Sequence, residues 1–417
     1  MESIVKEQSK KQLKIILSDV GIVSAMGSGK QAHWDKMLTN PADGLSYEAD
    51  WIPEKNVRIG RVNSPLCHID DQPLAQTRCK QLLHATFAQI KPTVDAAIAQ
   101  YGASRVGVVL GTSTSGTLEA ENAFSYFAEH QQMPPGYHLT QQEMGSPSQY
   151  LAQLSGVKGI DLCISTACSS GAKALISASN LIKTGIVDAV IVGGVDSLCH
   201  LTINGFATLE SLSDQICNPL SVNRKGINIG EGAALFLMQQ GRQGVALNGI
   251  GESSDAHHMS APHPEGDGAF AAMQNALTSA GLTVDQLDYI NLHGTATPKN
   301  DAMETKAITR LGAQGVACSS TKPYTGHTLA GAGAIEAGFC WLAMSDFNPQ
   351  HRLPPHYFDG QYDSEIDTVN LVDQQGNRRC STTPIKHCLS NSFAFGGSNA
   401  SLLFSKVKSS KDSEHDQ

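Results

Sequence analysis

The chain has 417 residues, enough for two ordinary domains or one fused unit with a substantial core. Hydrophobic residues make up 41% and charged residues 17%, a composition that suits a globular α/β enzyme and argues against extensive disorder. The formal charge of −9 excludes a sequence-independent grip on nucleic acid, and an acidic partner would need a local basic patch.

Residues 13–23 form an apolar run interrupted by Lys14, Ser18 and Asp19, without a small-residue cleavage site, and read as a strand. The SAMGSGKQ that follows looks like a phosphate loop. However, Ser24 stands where its first glycine is needed and Gln31 where a magnesium-binding hydroxyl belongs. Residues 106–110 and 189–192 are short Val/Ile-rich runs suited to strands covered on both faces. Between them CISTACSSGAKALISASNLIKTG, from Cys163, is echoed by CSSTKPYTGHTLAGAGAIEAGFCWLAM from Cys318. Each copy reads as a buried strand, a small polar turn and an Ala/Gly-rich helix that is apolar nearly all round, hence an interior helix. Residues 234–238 give another strand, and GRQG at 241–244 marks a junction. Residues 245–250, 289–292 and 401–404 supply strands for the second half. The expected fold class is α/β, with one half over 1–243, a second over 244–406, largely parallel sheets sharing interior helices, and a disordered polar tail over 407–417.

No stretch approaches the roughly 20 uncharged apolar residues of a membrane helix, and ten cysteines are scattered without a Cys-x-x-Cys pair. The expectation is a cytoplasmic chain with reduced thiols, no disulfide framework and no membrane insertion.

STACSSGA puts Cys168 between a strand end and the first turn of an interior helix, where free N–H groups and the helix dipole favour a thiolate. The small neighbours Ala167, Ser169, Ser170 and Gly171 admit a substrate, so Cys168 is a candidate acyl acceptor; an inert core thiol is the plain alternative. NLHGTATPKND places His293 in a loop after the strand at 289–292, and STKPYTGH places Lys322 and His327 on the turn entering the second interior helix. Two neutral imidazoles can donate to one thioester carbonyl and stabilise the enolate left when CO₂ departs. A buried Lys322 calls for a carboxylate, and Glu336 on the following helix is the candidate. NSFAFGGSNA brings Phe395 to another strand end, where it could cover the thiol, beside Gly396 and Gly397, which let the loop move. His257, His258 and His263 complete no zinc set and read as a loop cluster near the site's mouth.

In order and spacing, TACSSG, NLHGTATPKND, STKPYTGH with AGAGAIE, and NSFAFGGSNAS resemble the elongating β-ketoacyl-acyl-carrier-protein synthases of fatty acid and polyketide assembly, over about residues 17–404. The resemblance implies a thiolase fold of duplicated α/β halves in an αβαβα layering, a dimer, and acyltransferase chemistry by decarboxylative Claisen condensation. It implies a triad of Cys168, His293 and His327, a structural Lys322 paired with Glu336, and Phe395 as a gate whose N–H shares an oxyanion hole with that of Cys168. It implies no bound cofactor and no metal; the thioester arrives on the phosphopantetheine of an acyl carrier protein.

The sequence departs from the family at Ile227 and Asn228, where a Phe-Val pair is usual, at Ser221, where Asp is usual, and at Thr114, where many members carry an aliphatic side chain lining the acyl tunnel. These departures look like the synthases of bacterial aryl polyene clusters, in which such a subunit works beside a chain-length-factor-like partner. Homodimer and heterodimer both stay open. Carrier proteins are acidic, so Arg224 and Lys225 in the NRKG turn, extended by Arg78 and Lys80 from the opposite partner, are the expected docking patch. Three rivals differ at single residues. A thiolase needs a second catalytic cysteine in the last loop, where only Cys388 is near. A starter-type synthase would carry Asn in place of His327, and a non-catalytic chain-length factor would lack Cys168.

Overall fold

The computed structural model describes residues 13–39, 44–67, 69, 76–372 and 383–407. The apolar run near the start becomes β1 (Lys14–Ser24), with β2 (Gly27–Ser28) folded back on it and α1 (Lys30–Thr39) following. A separate hairpin of β3 (Ser46–Ile52) and β4 (Lys55–Ile59) precedes α2 (Arg78–Tyr101) and β5 (Val106–Gly111). Next come α3 (Thr117–His130), α4 (Ser146–Ser155), β6 (Asp161–Ile164), α5 (Ser170–Lys183) and β7 (Ala189–Asp196). α6 (His200–Thr208) and β8 (Gly232–Gly241) complete the first half.

A link of two residues, Arg242 and Gln243, leads to β9 (Gly244–Ser254), α7 (Asp267–Ala280), β10 (Tyr289–Asn291) and α8 (Pro298–Leu311). β11 (Ala317–Ser319), α9 (Lys322–Thr325) and α10 (Ala332–Met344) follow, then β12 (Asn370–Leu371), β13 (His387–Phe393) and β14 (Ser398–Val407).

The strand order β12-β11-β10-β13-β14-β9-β1-β8-β7-β5-β6 contains the sequence echo. The units β6-β5-β7-β8-β1 and β11-β10-β13-β14-β9 share one pattern, and they join at β1 and β9 through two pairs, Ile16 with Ala246 and Leu17 with Val245. In each unit the second strand is parallel to both neighbours and the rest pair antiparallel. The sheets are therefore mixed, not largely parallel as the helix–strand alternation suggested. The four residues between β13 and β14 can make a hairpin but not a crossover, which takes a dozen residues or more. β6 also departs from expectation: it is the edge strand, with Asp161 and Leu162 exposed, because no described strand pairs beyond it.

Alternation along the central strands builds the layers. Val106, Val108 and Leu110 of β5, Ile191 of β7 and Leu235 of β8 pack outward with Leu82, Leu83 and Phe87 of α2. Val109, Val190, Val192 and Phe236 face the opposite way, into a core with α5 and α10 that Leu402 and Phe404 of the second sheet also enter. The outer face of that sheet, with Leu389 and Leu403, packs on Met273 of α7 and Ile308 of α8. The result is an αβαβα stack with α5 and α10 between the sheets.

Every residue of α10 but Trp341 is buried, whereas α5 exposes Asn180 and Lys183, so the all-round apolar reading fits α10 alone. A Cβ on Gly171 would lie 2.7 Å from Ala330 O, and one on Gly333 would lie 2.9 Å from Ala172 N, so these inner segments touch backbone to backbone. β14 runs to Val407, one residue into the stretch expected to fray, because Val407 pairs with Gly244; residues 408–417 lie outside those described. Among the described residues no helix is long and apolar enough to cross a membrane.

Candidate active site

The chain leaves β6, turns sharply and enters α5. Ala167, with φ 52°, makes the turn in the left-handed region, which a residue with a Cβ adopts only when its surroundings enforce it. The enforcement is visible: Thr166 N–H donates to Ser170 Oγ at 2.8 Å, and the Ser170 and Ser169 hydroxyls donate to Ala167 O at 2.6 Å and Thr166 O at 2.9 Å. Cys168 sits at the apex, 5% exposed, just ahead of Ser169, the N-cap of α5.

Imidazoles from the second half meet this thiol. His327 Nε2 is 3.1 Å from Cys168 Sγ, and the His293 ring stands edge-on to the His327 ring with centroids 5.5 Å apart. Lys322 Nζ donates to Glu336 Oε1 at 2.6 Å, to the His293 carbonyl, and to His293 Nδ1 at 3.4 Å. An ammonium at Nδ1 makes that nitrogen an acceptor, so the ring proton of His293 is on Nε2. Burial first, then Lys322, hold both histidines well below their ordinary range, and both are therefore neutral imidazoles. His327 Nδ1 is buried without a hydrogen-bond partner among the described residues, so nothing fixes its tautomer.

The thiol differs from the sequence expectation. Burial pushes the Cys168 pKa up to about 12, with Asp196 adding to the rise. Lys322 and the N–H groups of Phe395 and Cys168 itself pull it down without prevailing. The N–H pair is in place to stabilise an anion, yet removal from water outweighs the helix start. The resting group is a thiol with a neutral imidazole beside it.

These side chains line a cavity of about 310 Å³ with Phe206, Ile227 and Phe395. The Phe395 ring lies 5.3 Å from that of Phe206, and Gly396, at φ 82°, donates its N–H to Met259 O at 2.8 Å. Phe393, rather than Phe395, packs against His293, with centroids 6.0 Å apart. His257 and His263 rings are 5.0 Å apart on the loop whose Ser260 and Pro262 border the cavity, and no metal-binding cluster occurs among the described residues. Cys388 is wholly buried in β13, outside the cavity.

Thr114 does not line the cavity. It is 1% exposed, and its hydroxyl donates to Asp196 Oδ1 at 2.9 Å while accepting from Ser197 N. A threonine in an aliphatic position has found a carboxylate behind the site. The expected basic patch also dissolves. Arg224, 7% exposed, pairs with Asp363 at 2.6 Å and approaches Asp301 at 3.8 Å. Arg78 pairs with Glu231 at 2.5 Å, and Lys80 is buried with its Nζ over the Tyr150 ring. Lys225 alone is exposed, facing Asp214 at 3.7 Å. In an acid-rich chain these cations are neutralised internally, and adjacency in sequence did not reveal it.

The sequence reading missed the carboxylates of α8. Glu304 accepts from His293 N–H at 2.9 Å and Gly294 N–H at 2.8 Å, and Asp301 accepts from Leu220 N–H at 2.8 Å. Burial raises their pKa values to about 7 and about 6. The visible signal was their spacing, eight and eleven residues after His293, in a helix opened by Pro298. Asn228, noted only as a departure, accepts the His327 N–H on its carbonyl at 2.6 Å.

Residues 84–243 match the family model described as beta-ketoacyl synthase, N-terminal domain, and residues 245–353 match that of the beta-ketoacyl synthase, C-terminal domain. The 3-oxoacyl-[acyl-carrier-protein] synthase 2 of Rhizobium meliloti is 30% identical, covering 94% of this chain and 98% of its own. That of Staphylococcus aureus strain MRSA252 is also 30% identical, covering 95% and 99%. Among solved structures, the ketosynthase ApeO of Xenorhabdus doucetiae, in complex with its chain length factor ApeC, is 41% identical with a TM-score of 0.87, covering 96% of this chain and 99% of that one. The ishigamide ketosynthase/chain length factor matches in fold alone, at 21% identity and a TM-score of 0.83 over 95% of this chain and 100% of that one.

Proposed function

The chain belongs to the β-ketoacyl synthase family, and from that premise we propose that it is an acyltransferase condensing an acyl group held on Cys168 with malonyl-carrier protein. The observation that carries this reading is the convergence of one thiol and two neutral imidazoles in one cavity. In the first half-reaction the Cys168 sulfur forms a bond to the acyl carbon, the carrier's C–S bond breaks, and the thiol proton ends on the pantetheine sulfur. His327 can relay that proton, because its unpartnered Nδ1 lets Nε2 serve as acceptor.

In the second half-reaction the bond between the malonyl carboxyl and the α-carbon breaks and CO₂ leaves. The electron pair passes to the thioester as an enolate, and the Nε2–H of His293, joined by that of His327 in its other tautomer, which no partner at Nδ1 opposes, stabilises its oxygen. The α-carbon then attacks the acyl carbonyl, whose oxygen meets the N–H groups of Cys168 and Phe395; the C–S bond to Cys168 breaks, and the leaving thiolate takes up one proton from solvent to restore the resting thiol. No resident cofactor takes part, since the phosphopantetheine comes with the carrier.

The finer assignment is an aryl polyene-type substrate with a chain-length-factor-like partner, in the cytoplasm. It is supported by Ile227 in the cavity wall and by the likeness to a ketosynthase solved with its chain length factor. A dimer of either kind is supported by the open edge of β6 and by Phe124 and Phe127 of α3, 51% and 41% exposed. The rivals fare less well: Cys388 is away from the cavity, His327 stands where a starter-type enzyme would carry Asn, and Cys168 is in place where a chain-length factor would lack it.

The test is to mix the chain with acyl-carrier thioesters and malonyl carrier, following intact mass and product. An acyl adduct that disappears in Cys168→Ala, with CO₂ release and a two-carbon-longer 3-oxo product in the native chain, is expected. An adduct of normal yield on the variant would overturn the nucleophile.

A further inference from the structure

At the end of β7, behind the thiol, lies a buried carboxylate that the reaction steps above do not use. Asp196 is fully buried, and six donors converge on it. Oδ1 accepts from Thr112 Oγ1, Ser113 N and Thr114 N at 2.8 Å each and from Thr114 Oγ1 at 2.9 Å. Oδ2 accepts from Ser113 Oγ and from Ala330 N at 2.8 Å. Burial pushes its pKa up, and donors from Ser113, Thr114 and Ala330 pull it back. Three of the six, the N–H groups of Ser113, Thr114 and Ala330, can only donate, and they favour the anion against the burial that opposes it.

Five of these donors belong to the loop after β5, in the first half of the chain. The sixth, Ala330, stands three residues beyond His327 in the second half. Its turn is strained, with Leu329 at φ 51°, and it is otherwise tied down by His327 N–H to Asn228 O at 2.6 Å and Gly230 N–H to His327 O at 2.9 Å. It seats directly on the thiol's own supports: a Cβ on Gly171 or Gly194 would come within 2.7 or 2.8 Å of Ala330 O.

We infer that Asp196 is a positioning residue for the reaction, anchoring the His327 turn to the wall that carries Cys168 so that Nε2 stays within reach of the sulfur. The inference rests on the reading of Cys168 and His327 as the reacting pair. Its charge faces the same sulfur and opposes ionisation of the thiol, against Lys322 and the Phe395 and Cys168 N–H groups, with the neutral His327 alongside. Asp196 thus favours proton transfer to His327 over a standing thiolate.

The test is Asp196→Asn, which keeps the shape and removes the charge. Acylation kcat should fall on the order of 10- to 100-fold with KM for the carrier substrate unchanged, the size expected of a misplaced reacting pair. Separately, the pH profile of Cys168 alkylation by iodoacetamide should move to lower pH, which a merely structural role would not produce. That readout needs no condensation, so it still tests Asp196 if the acyl-transfer reading fails. An unmoved alkylation profile, or native kcat, in the folded variant overturns the inference. Should that variant not fold, Thr112→Val removes one donor and retains the carboxylate. Reduced kcat at unchanged KM then supports the anchor, and native kcat overturns it.

Discussion

At the level of single residues, the two histidines are not equivalent. His293 has its tautomer fixed by Lys322 and is a donor only, whereas His327 touches the thiol and is free to accept. His293→Ala should therefore leave acylation of Cys168 near its native rate and slow CO₂ release on the order of 10²–10³-fold, the loss of one preorganised donor. His327→Ala should slow both steps. Single-turnover mass spectrometry and CO₂ capture read the two separately, and equal acylation defects in both variants would contradict the division of labour. Cys168 and the histidines were legible in the sequence because small residues and strand-end turns surround them, a composition a packing role does not demand. The state of the thiol was not, since the helix start is local and visible whereas complete burial is a property of the folded whole. Arg224 shows the same limit, its partner Asp363 lying 139 residues away.

At the level of elements, α8 is the part the sequence concealed. Glu304 grips two N–H groups of the His293 loop, and burial raises its pKa to about 7. A carboxyl whose folded pKa is raised contributes most stability below its unfolded value, near 4, and loses it as pH rises through about 7. The full swing is on the order of 3 kcal/mol for a shift of this size. Glu304→Gln cannot ionise, so the Tm difference between native chain and variant should tilt steadily toward the variant from pH 5 to pH 8. A pH-independent difference would rule this out. Asp301, raised to about 6, titrates the same way and adds to the rise at Glu304. Strands and interior helices were readable from apolar runs and the internal echo. Strand direction was not, because it depends on linker lengths such as the four residues between β13 and β14 and on β1 being placed between β8 and β9.

At the level of the whole molecule, the carrier must reach the cavity against a net charge of −9. Lys299, exposed in the first turn of α8, is the one lysine or arginine among the described residues lining the cavity. Lys299→Glu should raise KM for carrier-bound substrate several-fold at low salt, less at high salt, and leave the rate with a short thioester lacking phosphate unchanged. Steady-state kinetics with both substrates decides it, and equal KM at low salt would discard the residue.

The shared interior layer was readable from the internal echo, whereas the full αβαβα stack came through the resemblance, since spacing alone cannot say which outer faces the remaining helices cover. The layering divides the chemistry. The first five-strand unit holds the thiol, the second holds both imidazoles, and two backbone pairs with the helices α5 and α10 join them. The enzyme behaves as a logical conjunction of two inputs. Loss of the thiol from one half, or of both imidazoles from the other, silences condensation while leaving the remaining groups in place.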